Sequence, residues 1–162
     1  MRMTTTCAAL AVVTLALTAA TRAGNALDAA AASAPADAVT HLTNAKVQAG
    51  FEKGMPLVET DAYEVHASRR DRDGQAEVHQ RDTDIFYVLE GTATLVTGGR
   101  VVNGKSARPN ELRGESIAGG EVRQIGKGDV VIVPNGVPHL FKDVRQPFLY
   151  YTVKVTTPPG QQ

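Results

Sequence analysis

Residues 128–143 read GDVVIVPNGVPHLFKD, and residues 77–91 read EVHQRDTDIFYVLEG. In the first stretch a β-branched run, Val130 to Val133, halts at Pro134-Asn135-Gly136, and an apolar run resumes after His139. This is the grammar of strand, turn and strand: β-branched side chains suit a pleated surface, while Pro, Asn and Gly supply turn dihedrals. In the second stretch DIFYVLEG (84–91) ends at a glycine in the same way. Working outward, AYEVHAS (62–68), TATLVT (92–97), VRQI (122–125) and FLYYTVKV (148–155) repeat the pattern, with Gly98-Gly99 as a hairpin signal. Nothing after residue 57 holds a helical period for long. Many short, closely spaced strands imply an all-β fold, and we expect a single antiparallel β-barrel over residues 57–157.

The chemistry-bearing residues lie in the same two stretches. Glu77 and His79 are two apart on an expected strand, so their side chains share a face. If that face is the barrel interior, a carboxylate and an imidazole are buried together, which is costly unless a cation compensates. Asp84 opens the next strand and His139 follows the Val137-Pro138 turn, so a closed barrel can bring all four groups to one point. Two His and two carboxylates balance a dication and suit Fe, Mn, Ni, Zn or Cu without choosing among them. The plainer alternative pairs Glu77 with Arg70 or Arg81 and leaves each His as a hydrogen-bonded core or surface residue.

These residues give the chain a resemblance to the cupin superfamily, small β-barrels with two motifs. One motif runs G, five residues, P-x-G, two residues, H, three residues, N; it is matched at Gly128, Pro134, Gly136 and His139, with Asp143 replacing the final Asn. The other runs H-x-H, three or four residues, E, six residues, G; it keeps His79 and Gly91, with Glu77 replacing the first His and Asp84 the Glu. The resemblance covers residues 60–155. It implies a double-stranded β-helix jelly roll, one divalent transition metal on Glu77, His79, Asp84 and His139, and a small-molecule substrate. It also implies dioxygenase, isomerase or decarboxylase-type chemistry, and it allows a homodimer paired through an edge strand. The departures from the first motif support an alternative, a non-catalytic ligand-binding or storage barrel with structural metal or none.

By alternation Phe86 and Val88 share the inward face with Asp84, and Phe141 shares it with His139, making an apolar cup for a small oxygen-bearing molecule. One of Tyr150 and Tyr151 faces inward; Tyr150 is taken as the pocket residue. Glu77 is the candidate general base. Arg69, Arg70 and His66 on the preceding strand read first as a solvated edge, and second as groups that could meet a substrate carboxylate. Asp143 is expected to cap the turn after the second motif.

The rest of the chain limits the function classes. Its 162 residues suit one domain, and 17 Lys+Arg against 17 Asp+Glu leave no net charge to draw a nucleic acid. One cysteine excludes Cys-rich metal modules. Residues 1–23 have signal-peptide grammar: Arg2, then Cys7 directly before an apolar run from Ala8 to Ala20, then small residues up to Ala23. A secreted or periplasmic protein with no membrane segment after cleavage is expected. Residues 24–41 are a flexible linker, 42–56 a short helix capped by Thr43 or Asn44 and stopped at Gly54, and 158–162 a tail. Residues 103–120, polar and Gly-rich without a period, read as a loop serving as lid, binding loop or interface arm. GRVVNGKS (99–106) matches a phosphate-loop pattern, but Pro109 would break the helix such a loop requires, so nucleotide binding is rejected.

Overall fold

The structure is a computed structural model that describes residues 38–158 and 160. The expected signal peptide and most of the expected linker lie outside the described residues. One helix, α1 (Asn44–Lys53), precedes eleven strands: β1 (Met55–Glu59), β2 (Tyr63–Arg70), β3 (Ala76–His79), β4 (Asp82–Thr97), β5 (Arg100–Val102), β6 (Lys105–Arg108), β7 (Glu111–Gly114), β8 (Ser116–Ala118), β9 (Glu121–Gly126), β10 (Val130–Val133) and β11 (His139–Thr156). The helix begins at Thr43, whose Oγ1 accepts from the Lys46 amide, and ends at Gly54 in the left-handed region. Phe51 and Val47, one turn apart, lay the helix over Leu57 and Ala67 outside the barrel. No helix among the described residues is long and apolar enough to cross a membrane.

Nine strands form one curled antiparallel sheet. Its spine is β4 against β11, paired from Asp82↔Thr156 to Thr97↔His139. Strands this long close a small barrel only if they bend, and both do. Register shifts between Lys142 and Tyr150 bend β11. Gly91, which separates the expected strands 84–91 and 92–97, instead bends one continuous strand at φ 78°. A Cβ there would stand 2.3 Å from the Pro147 carbonyl and 2.7 Å from that of Arg145. The core inside the bend holds Val88, Leu95, Phe141 and Phe148.

The expected loop at 103–120 is largely strand. β6 and β7 form a hairpin, β7 continues onto β3, and β5 pairs with β8 in a separate ribbon. Strands of three or four residues are too short to display a period, and those of β6 are exposed throughout. The phosphate-loop look-alike is strand β5, a turn and strand β6, so its rejection holds. Asp143 does not cap its turn: it is exposed at φ 52°, and Asp73 instead accepts the Val144 amide at 3.1 Å.

Substituting Gly91→Ala is expected to destabilise the protein by about 2–4 kcal/mol, combining left-handed backbone cost with carbonyl overlap. Urea unfolding measures this, and the same substitution at half-buried Gly98, with nothing within 4 Å of the added Cβ, should cost less.

Candidate metal centre

Strand register builds the centre. His139 lies directly opposite Glu77 where β11 meets β3, and His79 follows Glu77 by two residues, so all three side chains enter from one wall. The second motif's turn is fastened to that wall, since the Gly136 amide donates to the His79 carbonyl at 2.7 Å. The two imidazoles stand with ring centroids 5.5 Å apart. Ligand atoms of Glu77, His79 and His139 all lie within 4.8 Å of one another. Asp84 enters from β4, with Oδ2 3.5 Å from Nε2 of both His79 and His139.

The orientation of the rings is consistent. Their Nε2 atoms face Asp84 and the cavity, while Nδ1 of His139 faces the Val137 carbonyl at 3.4 Å and Nδ1 of His79 lies 3.9 Å from Glu111. His79 Nε2 is buried with no hydrogen-bond partner among the described residues. A buried imidazole nitrogen without a partner is costly, and coordination of a cation satisfies it. Burial pulls the His139 pKa below its ordinary value, against the attraction of Asp84, and so favours the neutral ring that ligation requires. For Glu77 burial acts upward, but His79 at 3.6 Å and the guanidiniums of Arg113 and Arg70 outweigh it and bring the carboxyl to about 2. The donor set therefore fits a divalent transition metal: imidazole nitrogens with an anionic oxygen.

Two side chains here were not anticipated. Lys154 stands directly opposite Asp84 in the β4–β11 register, and its Nζ donates to Asp84 Oδ1 at 2.8 Å deep in the barrel. Asp84 is thus compensated by an ammonium on one oxygen and presents only the other to the imidazoles. Its signal was available: Tyr150, Thr152 and Lys154 alternate on one face of FLYYTVKV. Glu111, from the misread 103–120 segment, is buried behind His79 and held by Arg108 and Arg113. No local pattern marked it.

A cavity of about 340 Å³ opens over the centre. Phe86, Phe141 and Tyr150 line it as expected, whereas Val88 packs in the core beneath and does not. Tyr150 is the inward tyrosine; its hydroxyl accepts from Arg70 Nε at 2.7 Å, and burial raises its pKa despite Arg70. Of the two arginines, Arg70 reaches the cavity interior, while Arg69 pairs with exposed Asp71. His66 lines the wall and is paired with Glu64 at 3.0 Å.

Residues 71–162 match the sequence pattern of the Cupin family. The chain belongs to the cupin family. Solved structures share the fold at low identity. A Bacillus halodurans protein is 13% identical with a TM-score of 0.53, over 76% of this chain and 86% of that one. A Klebsiella pneumoniae protein with a double-stranded β-helix domain is 18% identical at 0.50, over 75% and 95%. A Neisseria meningitidis protein is 13% identical at 0.50, over 72% and 100%. No curated protein matches the sequence.

Two outcomes follow for this cupin after metal removal by chelator. Lys154→Met leaves Asp84 buried without its partner and is expected to cost about 3–5 kcal/mol, most of it recovered in the double variant with Asp84→Asn; urea unfolding of the cycle measures both. Stability is also expected to fall in acid in two stages. His139, depressed from 6.5, and Glu77, depressed from 4.5 to about 2, each hold fewer protons folded than unfolded, so protons favour the unfolded chain below those ordinary values. Thermal melting against pH should show both limbs, and Glu77→Gln should flatten the lower one.

Proposed function

We propose that this cupin is a metal-dependent protein acting on a small oxygen-bearing molecule, with His79, His139 and Glu77 as ligands and Asp84 beside them. The observation that carries this reading is the partnerless, buried Nε2 of His79, aimed with that of His139 at one point on the cavity floor. A divalent ion bound there supplies Lewis acidity or redox chemistry. The chain's own residues do the rest. Phe86 and Phe141 restrict water over the centre, and a cavity of about 340 Å³ limits the substrate to a small molecule. Glu77 has the most exposed of the four side chains, at 17% against 3% for His79, 5% for His139 and 3% for Asp84. It is the ligand best placed to leave the ion and take a proton from substrate.

Export by the N-terminal segment remains part of the proposal, as does a homodimer. The replacement of the first motif His by Glu77 favours a second reading, a ligand-binding barrel in which metal is absent or structural.

Metal content separates the two. Protein purified without added metal should carry close to one transition-metal ion per chain by mass spectrometry. His79→Ala should lose it, while Glu77→Ala should keep most of it and lose the ability to transform a substrate. Full occupancy in His79→Ala would contradict the ligand set, and a metal-free wild type would favour the second reading.

A further inference from the structure

The cavity is a cationic one, and one of its cations, Arg70, acts on Glu77 only at a distance and touches no acid among the described residues. Five of its lining residues, Arg69, Arg70, Arg108, Arg113 and Lys154, carry positive charge. Four are matched by four acids: Arg69 by Asp71, Lys154 by Asp84, and Arg108 and Arg113 by Glu111 and Glu77 together. Arg70 is in ion-pair contact with no carboxylate among the described residues. A dication at the centre below would add to the surplus, so the cavity as a whole selects for an anion.

Arg70 is also held in a defined position. Its Nε is spent on the Tyr150 hydroxyl at 2.7 Å, and its Cζ lies 5.1 Å from the centroid of the Phe141 ring. Gly74 leaves room for it: a Cβ there would sit 2.7 Å from Nη1. The β2–β11 register explains the approach, because Arg70 pairs with Phe148 and reaches diagonally to Tyr150, while Arg69 on the other face meets Asp71. With Nε engaged, the two terminal nitrogens keep the fork geometry that matches a planar carboxylate. Tyr150 accepts from Arg70 and also meets the Ser68 hydroxyl, and as a phenol it carries one proton to offer either to Ser68 or to a bound oxygen.

We propose that the substrate is a small carboxylate, gripped by the terminal nitrogens of Arg70 with the Tyr150 hydroxyl beside them, its body against Phe86 and Phe141. The proposal deepens the metal-centre reading and rests on it only for the direction in which the substrate's remaining oxygen points. Arg70 is then the residue that sets specificity for charge, and it acts by touching the substrate.

The test is calorimetric titration of zinc-loaded and chelator-stripped protein with salicylate and with salicylamide, which keep one shape and differ in charge. Salicylate is expected to bind about tenfold tighter or more, the usual worth of a charge-assisted pair. In Arg70→Gln that ratio should fall to about one, and Arg70→Lys should retain an intermediate ratio because it keeps the charge and loses the fork. Tyr150→Phe, which leaves Arg70 in place, should lower the ratio without abolishing it. Equal affinity for the two compounds in the wild type, no binding of either, or an undiminished ratio in a folded Arg70→Gln would overturn the assignment. A protein that takes up no zinc yet keeps the charge preference would defeat the metal reading and leave Arg70 standing; zinc binding without the preference would do the reverse.

Discussion

The antiparallel register of β11 governs this molecule. One strand, paired with β3 at one end and β4 along its length, sets His139 against Glu77 and Lys154 against Asp84. A slip of one residue would turn every one of these side chains to the other face of the wall, exchanging a polar centre for Leu140 and Val153. The bends that let β4 and β11 curl are part of the same constraint. Gly91 and the bulges between Lys142 and Tyr150 close the barrel so that Asp84, which enters from a different strand, meets the two imidazoles.

A barrel interior with two imidazoles, two acids and a lysine is an expensive thing to bury. The protein meets that cost in pairs. Lys154 answers Asp84, Arg108 and Arg113 answer Glu111, and the Val137 carbonyl lies near the back of the His139 ring. What is left over among the described residues defines the site: the forward nitrogen of His79 without a hydrogen-bond partner, and the guanidinium of Arg70 in contact with no acid. The first is the mark of a cation, the second of an anion. Both open onto one cavity, floored by aromatic rings that pack edge to face, Phe86 on Phe141 and Phe86 on Tyr150.

Much of this was legible in the residues. Alternation along DIFYVLEG places Asp84 and Phe86 inward, that along FLYYTVKV turns one of Tyr150 and Tyr151 inward without deciding which, and the Pro134-Asn135-Gly136 turn announces His139. The short helix also stands where Thr43 and Gly54 predict it. The failures share one physical cause. Strands β6 and β7 are too short for a period; β6 is exposed throughout, and the buried polar residue of β7, Glu111, faces the site instead of the apolar core. A segment whose buried residue is Glu111 and whose neighbours are arginines reads as a loop. Lys154 was overlooked for a related reason: a lysine in a strand is ordinarily solvated, and only its register partner, Asp84, explains its burial. Val88 shows the converse limit, since alternation gives the face but not the depth.

The central claim is that Glu77, His79 and His139 converge on one ion. Crystals of protein purified without added metal, with diffraction recorded across transition-metal absorption edges, test it most directly. The account predicts a single anomalous peak about 2.0–2.2 Å from Nε2 of both His79 and His139 and from a Glu77 oxygen. The absence of any peak at that point, or a peak bound elsewhere with both imidazoles free, would contradict it.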